Sequence, residues 1–580
     1  MVMADWREAG AEAGRRLSPG SAALYTRGVA NEYDVCVVGT GAGGGVMIDQ
    51  LTAAGFNVVA LERGGELSLA EFDDDELRNV IRDQVFSPDQ LETYRPAAGQ
   101  PTETGRFSHI AFCLGGTMTH WSGWSWRFRP DEFKVLSTEG PVAGASLADW
   151  PVDYAEMAPF YERAEWDFGV AGDGGANPFA APRQKGFPLP VHPARRASLR
   201  FADGAKKAGY RPFPVPMAIN SAPYGGRPTC MHGGACRSYG CPINAKATTF
   251  SVSIPRARAT GRLDVRTQAR VFELPVKNGR VTGARYFDAN GAVHEVRARQ
   301  VVVSAGTFGT PQLLLNSTSG SFPHGLANGS GLVGANLQFH HHPAAMGIFD
   351  EDLRGYTGFE THTAIDDLHP SDAKRGFIRG GVVAELNTFT HQPIAYSLVL
   401  AEGMTKPGGR RWGRDLKDRM RAFPRTMTVA AICEELPMES NRVDLDPQVK
   451  DRFGIPVVRI TKTQHPNDLA MFRWYEKKIA EIVEAAGAKE VYVGGIPGIS
   501  LAEGRPQKGN DHNHGTCRMG DDPSKSVVDR WCRSHEVPNL WVVDSSVMPT
   551  NGGYNPTLTI MANAYRVADH FVREGKGHAL

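Results

Sequence analysis

Gly39, Gly41 and Gly44 form a G-x-G-x-x-G run, and Glu62 follows 18 residues after its last glycine. These residue types at that spacing are suited to binding a dinucleotide. Gly39 permits a tight turn, Gly41 lets a pyrophosphate approach the backbone, and Gly44 lets a helix pack closely on a strand. Glu62 is placed to accept hydrogen bonds from an adenosine ribose. Three other sets of residues carry potential chemistry. Gly115-Gly116-Thr117-Met118-Thr119-His120-Trp121 joins a glycine pair to a hydroxyl, an imidazole and an indole, as expected of backbone held against a flat ligand. Cys230, Cys236 and Cys241 lie within twelve residues, ahead of Pro242-Ile243-Asn244-Ala245. Near the C-terminus, His512-Asn513-His514-Gly515-Thr516-Cys517 precedes a loop, Asn551-Gly552-Gly553-Tyr554-Asn555-Pro556-Thr557.

The surrounding pattern supplies the elements that must position these groups. Tyr33 to Val38 is a short apolar run of the kind that forms a buried parallel strand, Val46 to Ala54 reads as a helix stopped by Gly55, and Asn57 to Leu61 reads as a second strand. A short acidic helix is expected over Glu71–Asp83, and a longer helix over Tyr154–Phe168, after Trp150-Pro151. Strands are expected at Leu263–Arg266, Arg270–Leu274, Val281–Asp288 and from Val301, with turns at Asn278-Gly279 and Asn290-Gly291. Thr310-Pro311 is expected to start a helix. From His340 to about Val457 the pattern becomes alternating and β-rich, and Asn467 to Ala486 reads as an amphipathic helix with an Asn N-cap. Leu540 to Asp544 is a late strand. A dinucleotide fold with its last strand and helix so far from its first is discontinuous, and the segments between its parts form another domain.

Composition narrows the class. With Lys+Arg 64 against Asp+Glu 63, nothing points to nucleic acid as a partner. No apolar run approaches the roughly 20 residues needed to span a bilayer, and the polar first thirty residues show no apolar signal-peptide core. A cytoplasmic protein is the expectation, with export or membrane association only through a partner subunit. Seven of the residues from Lys406 to Arg421 are Lys or Arg. A solvated helix face is the favoured reading there, and a docking patch for an acidic redox partner the sharper one.

The motifs, taken in order, resemble those of the glucose–methanol–choline (GMC) family of FAD oxidoreductases. The likeness runs from Tyr33 to about Phe571. It includes the glycine loop, Gly115-Gly116, Trp150-Pro151, Ser304-Ala305-Gly306 with Thr310-Pro311-Gln312, Ser440-Asn441-Arg442-Val443, the His-x-x-Gly-Thr at 512–516 and Asn555-Pro556-Thr557. Thr119-His120-Trp121 looks most like pyranose 2-oxidases. The segment after Cys241 and the Asn551–Thr557 loop look closer to the flavoprotein subunits of bacterial gluconate, fructose and glucose dehydrogenases.

The resemblance implies an α/β chain, with a discontinuous Rossmann-like FAD-binding domain (31–150, 225–340 and 500–575). It further implies a second α+β substrate domain on an antiparallel sheet (151–224 and 341–499) and an extension at 1–30. The implied reaction is oxidation of a sugar, glycoside or polyol hydroxyl, with proton abstraction by His512 and hydride transfer to flavin N5. Asn555 would hold the substrate oxygen, and His514 would stand behind. Electrons would pass to an acceptor other than NAD, which could be oxygen, a quinone or dye, or a redox partner protein. An oxygen-reducing pyranose-type oxidase, or a non-redox lyase on the same fold, is the alternative. Gly39, Gly41, Gly44, Glu62, Gly116, His120, Val271, Asp544 and Ser545 would hold FAD. His120 occupies the position where some members tether the flavin. Cys230, Cys236 and Cys241 sit where related subunits ligate an iron–sulfur cluster, but each gap is one residue longer, and a thiol loop without metal is the favoured reading.

Overall fold

Tyr33–Val38 forms the expected strand in this computed structural model, which describes residues 32–81, 90–386, 393–397, 412–495 and 507–577. It lies between two parallel neighbours, Val58–Leu61 and the end of an eleven-residue strand, Val293–Val303. Leu263–Arg266 continues the parallel sheet on one side and Leu540–Val542 on the other. The inner strands are shut off from water on both faces, which is why they read as unbroken apolar runs. The first half of Val293–Val303 leaves this sheet and pairs antiparallel with Gly283–Phe287, which pairs with Arg270–Glu273. A strand near residue 540 completing a sheet begun at residue 33 is the discontinuity that the motif order predicts.

The first helix spans Ala42–Ala53, so it begins four residues before Val46. Its opening turn is made of the glycines themselves, and close packing demands them. A Cβ on Gly43 would lie 1.9 Å from the Val543 carbonyl oxygen, and one on Gly44 2.1 Å from that of Gly39. Gly41 has open space where its Cβ would be, on the side a ligand would approach. A second boundary also differs. Thr310-Pro311 lies inside the helix Gly306–Asn316, which starts at Gly306. Proline cannot donate to the Thr307 carbonyl one turn back. Thr516 Oγ1 donates to it instead at 2.8 Å, which pins this helix to the segment carrying His512.

A second sheet is antiparallel, with Glu490–Gly495, Pro343–Ile348, Thr426–Cys433, Gly381–Leu386, Thr363–Ile365 and Phe213–Pro214 in that order. Its central strands are buried throughout, and side chains alternate between two cores. Val383, Val429 and Ala431 pack with Met471, Tyr475 and Ile479 of the helix Pro466–Ala485. Val382, Ala384, Ala430 and Ile432 join the large core that contains the parallel sheet. A smaller sheet combines Arg442–Lys450 and Pro456–Thr461 with Glu92–Arg95 and Glu103–Gly105, strands that the polar sequence around residue 100 did not suggest.

Two helix expectations need correction. Over the described part of that span, 71–81, the chain forms only the end of a 3-10 turn, Leu69–Glu71, and one π-helical turn, Leu77–Ile81. His465, not Asn467, caps the helix Pro466–Ala485, its ring accepting from the Asn467 N–H at 3.1 Å. The Asn467 side chain instead receives the Ile378 N–H at 2.9 Å, outside the helix. The extension at 1–30 and residues 406–411 of the basic stretch lie outside the described residues, while Gly413–Ala422 is helical.

Candidate active site

One cavity of about 450 Å³ begins at the glycine loop and ends at the C-terminal histidines. Gly39, Gly41, Glu62, Gly116, His120, Val271, Asp544, Ser545, His512 and Asn555 all line it. Gly44 does not line it, because it is spent on packing the helix against the strand.

At the first end, the Glu62 carboxylate reaches back to the glycine loop. It accepts from the Thr40 hydroxyl at 2.6 Å, the Thr40 N–H at 3.1 Å and the Gly64 N–H at 2.9 Å. Burial raises its pKa and these bonds oppose the rise. The Gly115-Gly116 turn crosses directly over this loop. The Gly115 N–H donates to Thr40 Oγ1 at 2.9 Å, and a Cβ on Gly116 would lie 2.9 Å from the Cα of Gly41. The glycine pair thus serves contact between two backbones. Asp544, at the far side of the loop, accepts from the Gly306 N–H at 2.9 Å and from Thr310 Oγ1 at 2.6 Å, so it fixes the start of the helix Gly306–Asn316. Ser545 Oγ meets Thr307 Oγ1 at 2.8 Å.

His120 is buried, and burial together with nearby Lys246 lowers its pKa to about 3, so its ring is neutral. Its Nδ1 is sealed from water and has no hydrogen-bond partner. Thr119 and Trp121 do not flank this ring as hydrogen-bonding walls. Thr119 Oγ1 donates to the Leu114 carbonyl at 3.2 Å, and the Trp121 indole to that of Ala247 at 2.9 Å. Phe72 meets His120 edge-on instead, with 6.1 Å between ring centroids. Lys246, buried among the cysteines, donates to the carbonyls of Trp121, Cys236 and Tyr239 at 2.7–2.8 Å and so ties the His120 segment to the cysteine loop. Cys230 and Cys241 sulfurs accept backbone N–H groups of His232 and Lys246, and all three thiols are free.

At the second end the structure brings His512 and Asn555 together and adds partners the sequence did not announce. The Trp126 indole can only donate, and it meets Asn555 Oδ1 at 3.1 Å. The Asn555 amide nitrogen is therefore the atom 3.2 Å from His512 Nε2. An amide N–H₂ cannot accept, so His512 Nε2 carries the lone pair. From the other side, His340 Nε2 lies 2.6 Å from the Gly552 carbonyl oxygen and 3.3 Å from that of Asn551, both acceptors only. His340 therefore holds its proton on Nε2 and its lone pair on Nδ1. His512 Nδ1, 2.9 Å from that lone pair, must donate to it. The chain of donors runs in one direction, Trp126 to Asn555 to His512 to His340 to a main-chain carbonyl, and it leaves a basic nitrogen on the cavity wall.

Electrostatics agree with that assignment. Burial holds His512, His340 and His342 below the ordinary histidine range. The neighbouring Asp511 carboxylate opposes the effect at His512. Asp511 is paired with Arg237 at 2.9 Å and is held well below the usual carboxylate range. His340 itself is anchored by its carbonyl, which accepts from Asn510 at 2.8 Å and Gln507 at 3.0 Å. His514 is fully buried beside the His340 ring, 5.1 Å between centroids, and does not line the cavity. A sequence signal for His340 exists in hindsight. In the run His340-His341-His342 ahead of a strand, alternate residues face the same side. His340 and His342 both pack against His512, and His341 turns away to Glu435 and Asp468.

With this geometry in view, the chain compares closely with known proteins. GMC oxidoreductase family profiles match residues 151–342 and 437–564. The 2-methyl-1,2-propanediol dehydrogenase of Mycolicibacterium austroafricanum is 33% identical over 94% of this chain and 96% of its own length. The paromamine 6'-oxidase of Streptomyces fradiae is 32% identical over 92% and 90%. Among solved structures, pyridoxine 4-oxidase from Mesorbium loti superposes with a TM-score of 0.62 at 18% identity, over 94% of this chain and all of that one. The chain belongs to the GMC oxidoreductase family and is an FAD-dependent alcohol or sugar oxidoreductase. The α/β architecture expected from the motifs is that of its structural relatives. No helix among the described residues is long and apolar enough to cross a membrane.

Proposed function

We propose that this protein oxidises a hydroxyl of a polyol or sugar, with His512 Nε2 as the base and Asn555 as the group that holds the substrate oxygen. The observation that carries the reading is the fixed tautomer of His512. A base must offer a lone pair within hydrogen-bond reach of the hydroxyl it deprotonates. That lone pair accepts from the Asn555 amide at 3.2 Å. A substrate hydroxyl entering between them would donate to His512 and accept from Asn555, replacing one long hydrogen bond by two. As His512 gains a proton, the nearby Asp511 carboxylate stabilises the imidazolium, and His340 continues to accept from its Nδ1.

The residues fit FAD. Gly41 leaves room at the helix N-terminus for a pyrophosphate, Glu62 and Val271 stand where the adenosine would lie, and Asp544 and Ser545 stand toward the flavin. When bound, FAD supplies the acceptor for the hydride leaving the carbinol carbon. The neutral ring of His120, on the cavity wall, suits a covalent bond to the flavin. Acid precipitation should leave a yellow pellet in wild type and a colourless one in His120→Ala.

The acceptor is taken to be other than NAD, with dehydrogenase, the activity named for its propanediol-oxidising relative, favoured over oxidase. The test is anaerobic mixing of the purified flavoprotein with vicinal diols, sugars and glycosides. Bleaching of the flavin by one of them, followed by reoxidation faster with a dye than with oxygen, is the expected result. Bleaching by NADH and by no alcohol would overturn the proposal.

A further inference from the structure

Behind the loop that carries Asn555 lies a second buried charged cluster, away from the cavity. His369 sits between two carboxylates, with Nδ1 2.9 Å from Asp366 Oδ1 and Nε2 2.9 Å from Glu132 Oε1, the latter contact bent off the ring's N–H axis. All three side chains are sealed from water. The same two carboxylates hold the loop. Glu132 Oε1 accepts the Gly553 N–H at 2.9 Å, and Asp366 Oδ2 accepts the Tyr554 hydroxyl at 2.5 Å. The His369 ring also meets the Tyr554 ring, at 4.6 Å between centroids. Tyr554 in turn stacks on Trp126, 5.3 Å and 26° apart, and Trp126 is the indole that orients the Asn555 amide. Gly553 has no room for a side chain, since a Cβ would lie 2.5 Å from His369 Nε2.

We propose that His369, charged and clamped between Glu132 and Asp366, is a positioning residue that sets the orientation of the Asn555 amide through Tyr554 and Trp126. The reasoning is one of geometry and charge. Glu132 and Asp366 hold Gly553 and Tyr554, the residues next to Asn555, so the placement of this stretch sets how the Asn555 amide meets His512. Two buried carboxylates facing one loop repel each other unless a cation lies between them. Arg379 answers Glu434 at 2.7 Å and Asp131 at 3.0 Å but stands 3.8 Å from Glu132, and Arg129 acts on Asp366 only through space. The imidazolium is the cation in contact with both carboxylates that bind the loop. Both of these carboxylates raise its pKa against the pull of burial, to about 9. A neutral ring would have one acceptor nitrogen facing a carboxylate, and the loop would be free to shift by the few tenths of an ångström that separate a good amide contact from a poor one.

The inference rests on Asn555 holding the substrate oxygen, and a double-mutant cycle separates the two ideas. Anaerobic flavin reduction is followed in Asn555→Ala, His369→Gln and the double variant, using the alcohol that bleaches the wild type best. His369→Gln should slow reduction about tenfold and raise the half-saturating substrate concentration, the pattern of a displaced orienting group. In the Asn555→Ala background the same substitution should cost almost nothing further. Tyr554→Phe, which removes one hydroxyl and no charge, should show a smaller loss with the same pattern. If Asn555→Ala reduces at the wild-type rate, the functional reading fails. If Asn555→Ala is impaired but His369→Gln is silent, or the two effects multiply, the positioning role fails. Should His369→Gln not fold, additive behaviour of Tyr554→Phe with Asn555→Ala would overturn it equally.

Discussion

Two buried histidine clusters meet the Asn551–Asn555 loop, one at Asn551, Gly552 and Asn555 and the other at Gly553 and Tyr554, and they differ in charge state. His340 and His512 have for hydrogen-bond partners an amide, a main-chain carbonyl and each other, and at His512 burial outweighs the Arg237-paired Asp511 carboxylate nearby, so both rings stay neutral. His369 is as deeply buried but touches two carboxylates, and the carboxylates win. Burial alone therefore does not set the charge of an interior histidine; its first neighbours decide it. The neutral pair can take a proton and the charged ring cannot, which is the division that the proposed base and the proposed clamp require.

The largest expected effect is on the neutral side. His512→Ala should slow anaerobic flavin reduction by about a hundredfold or more, the scale of a lost general base, while the protein keeps its fold and colour. Next comes the partner that sets the tautomer. His340→Phe removes the acceptor for His512 Nδ1 and should cost about tenfold to a hundredfold in the same assay, with flavin content unchanged. Wild-type rates in this variant would show that the proton on Nδ1 needs no fixed acceptor.

The charged side predicts a stability effect with a definite pH sense. His369 has a folded pKa of about 9, above the ordinary histidine value. Its contribution is therefore fully present below about pH 6.5 and is lost as pH rises through about 9, on the order of 3 kcal/mol if the ring stays as buried as it is here. Thermal melts of the wild type should fall between pH 7 and 10 more steeply than those of His369→Gln. Parallel curves would contradict the charged state. The smallest effect belongs to Asp511, which opposes the desolvation of His512. Asp511→Asn should move the acid limb of flavin reduction to lower pH by about one unit or less, with a modest loss of rate.

The same contrast explains what could be read from the sequence. The glycine loop, its strands and Glu62 lie within thirty residues of one another, so their spacing alone defines the nucleotide end. The proposed oxidising end is assembled from Trp126, His340, His512 and Asn555, brought together only by the packing of distant parts of the chain. His512 and Asn555 were legible through family resemblance. His340 was hidden in a triple-histidine run whose period of two becomes informative once a strand follows it. His369, Glu132 and Asp366 carried no local signal, because their meaning lies in a loop from another part of the chain. The misjudged helix boundaries share a cause of the same kind. Pro311 reads as a first-turn residue in sequence because the donor that replaces its missing N–H, Thr516, comes from about two hundred residues away.

The most direct test of the account is the pH dependence of anaerobic flavin reduction in wild type and His512→Ala. The base assignment predicts that the wild-type rate holds its plateau below pH 6.5, because burial keeps His512 neutral there, and then falls with a single ionisation. In His512→Ala that ionisation should vanish from a uniformly slow profile. The same ionisation persisting in the variant would place the base on another residue.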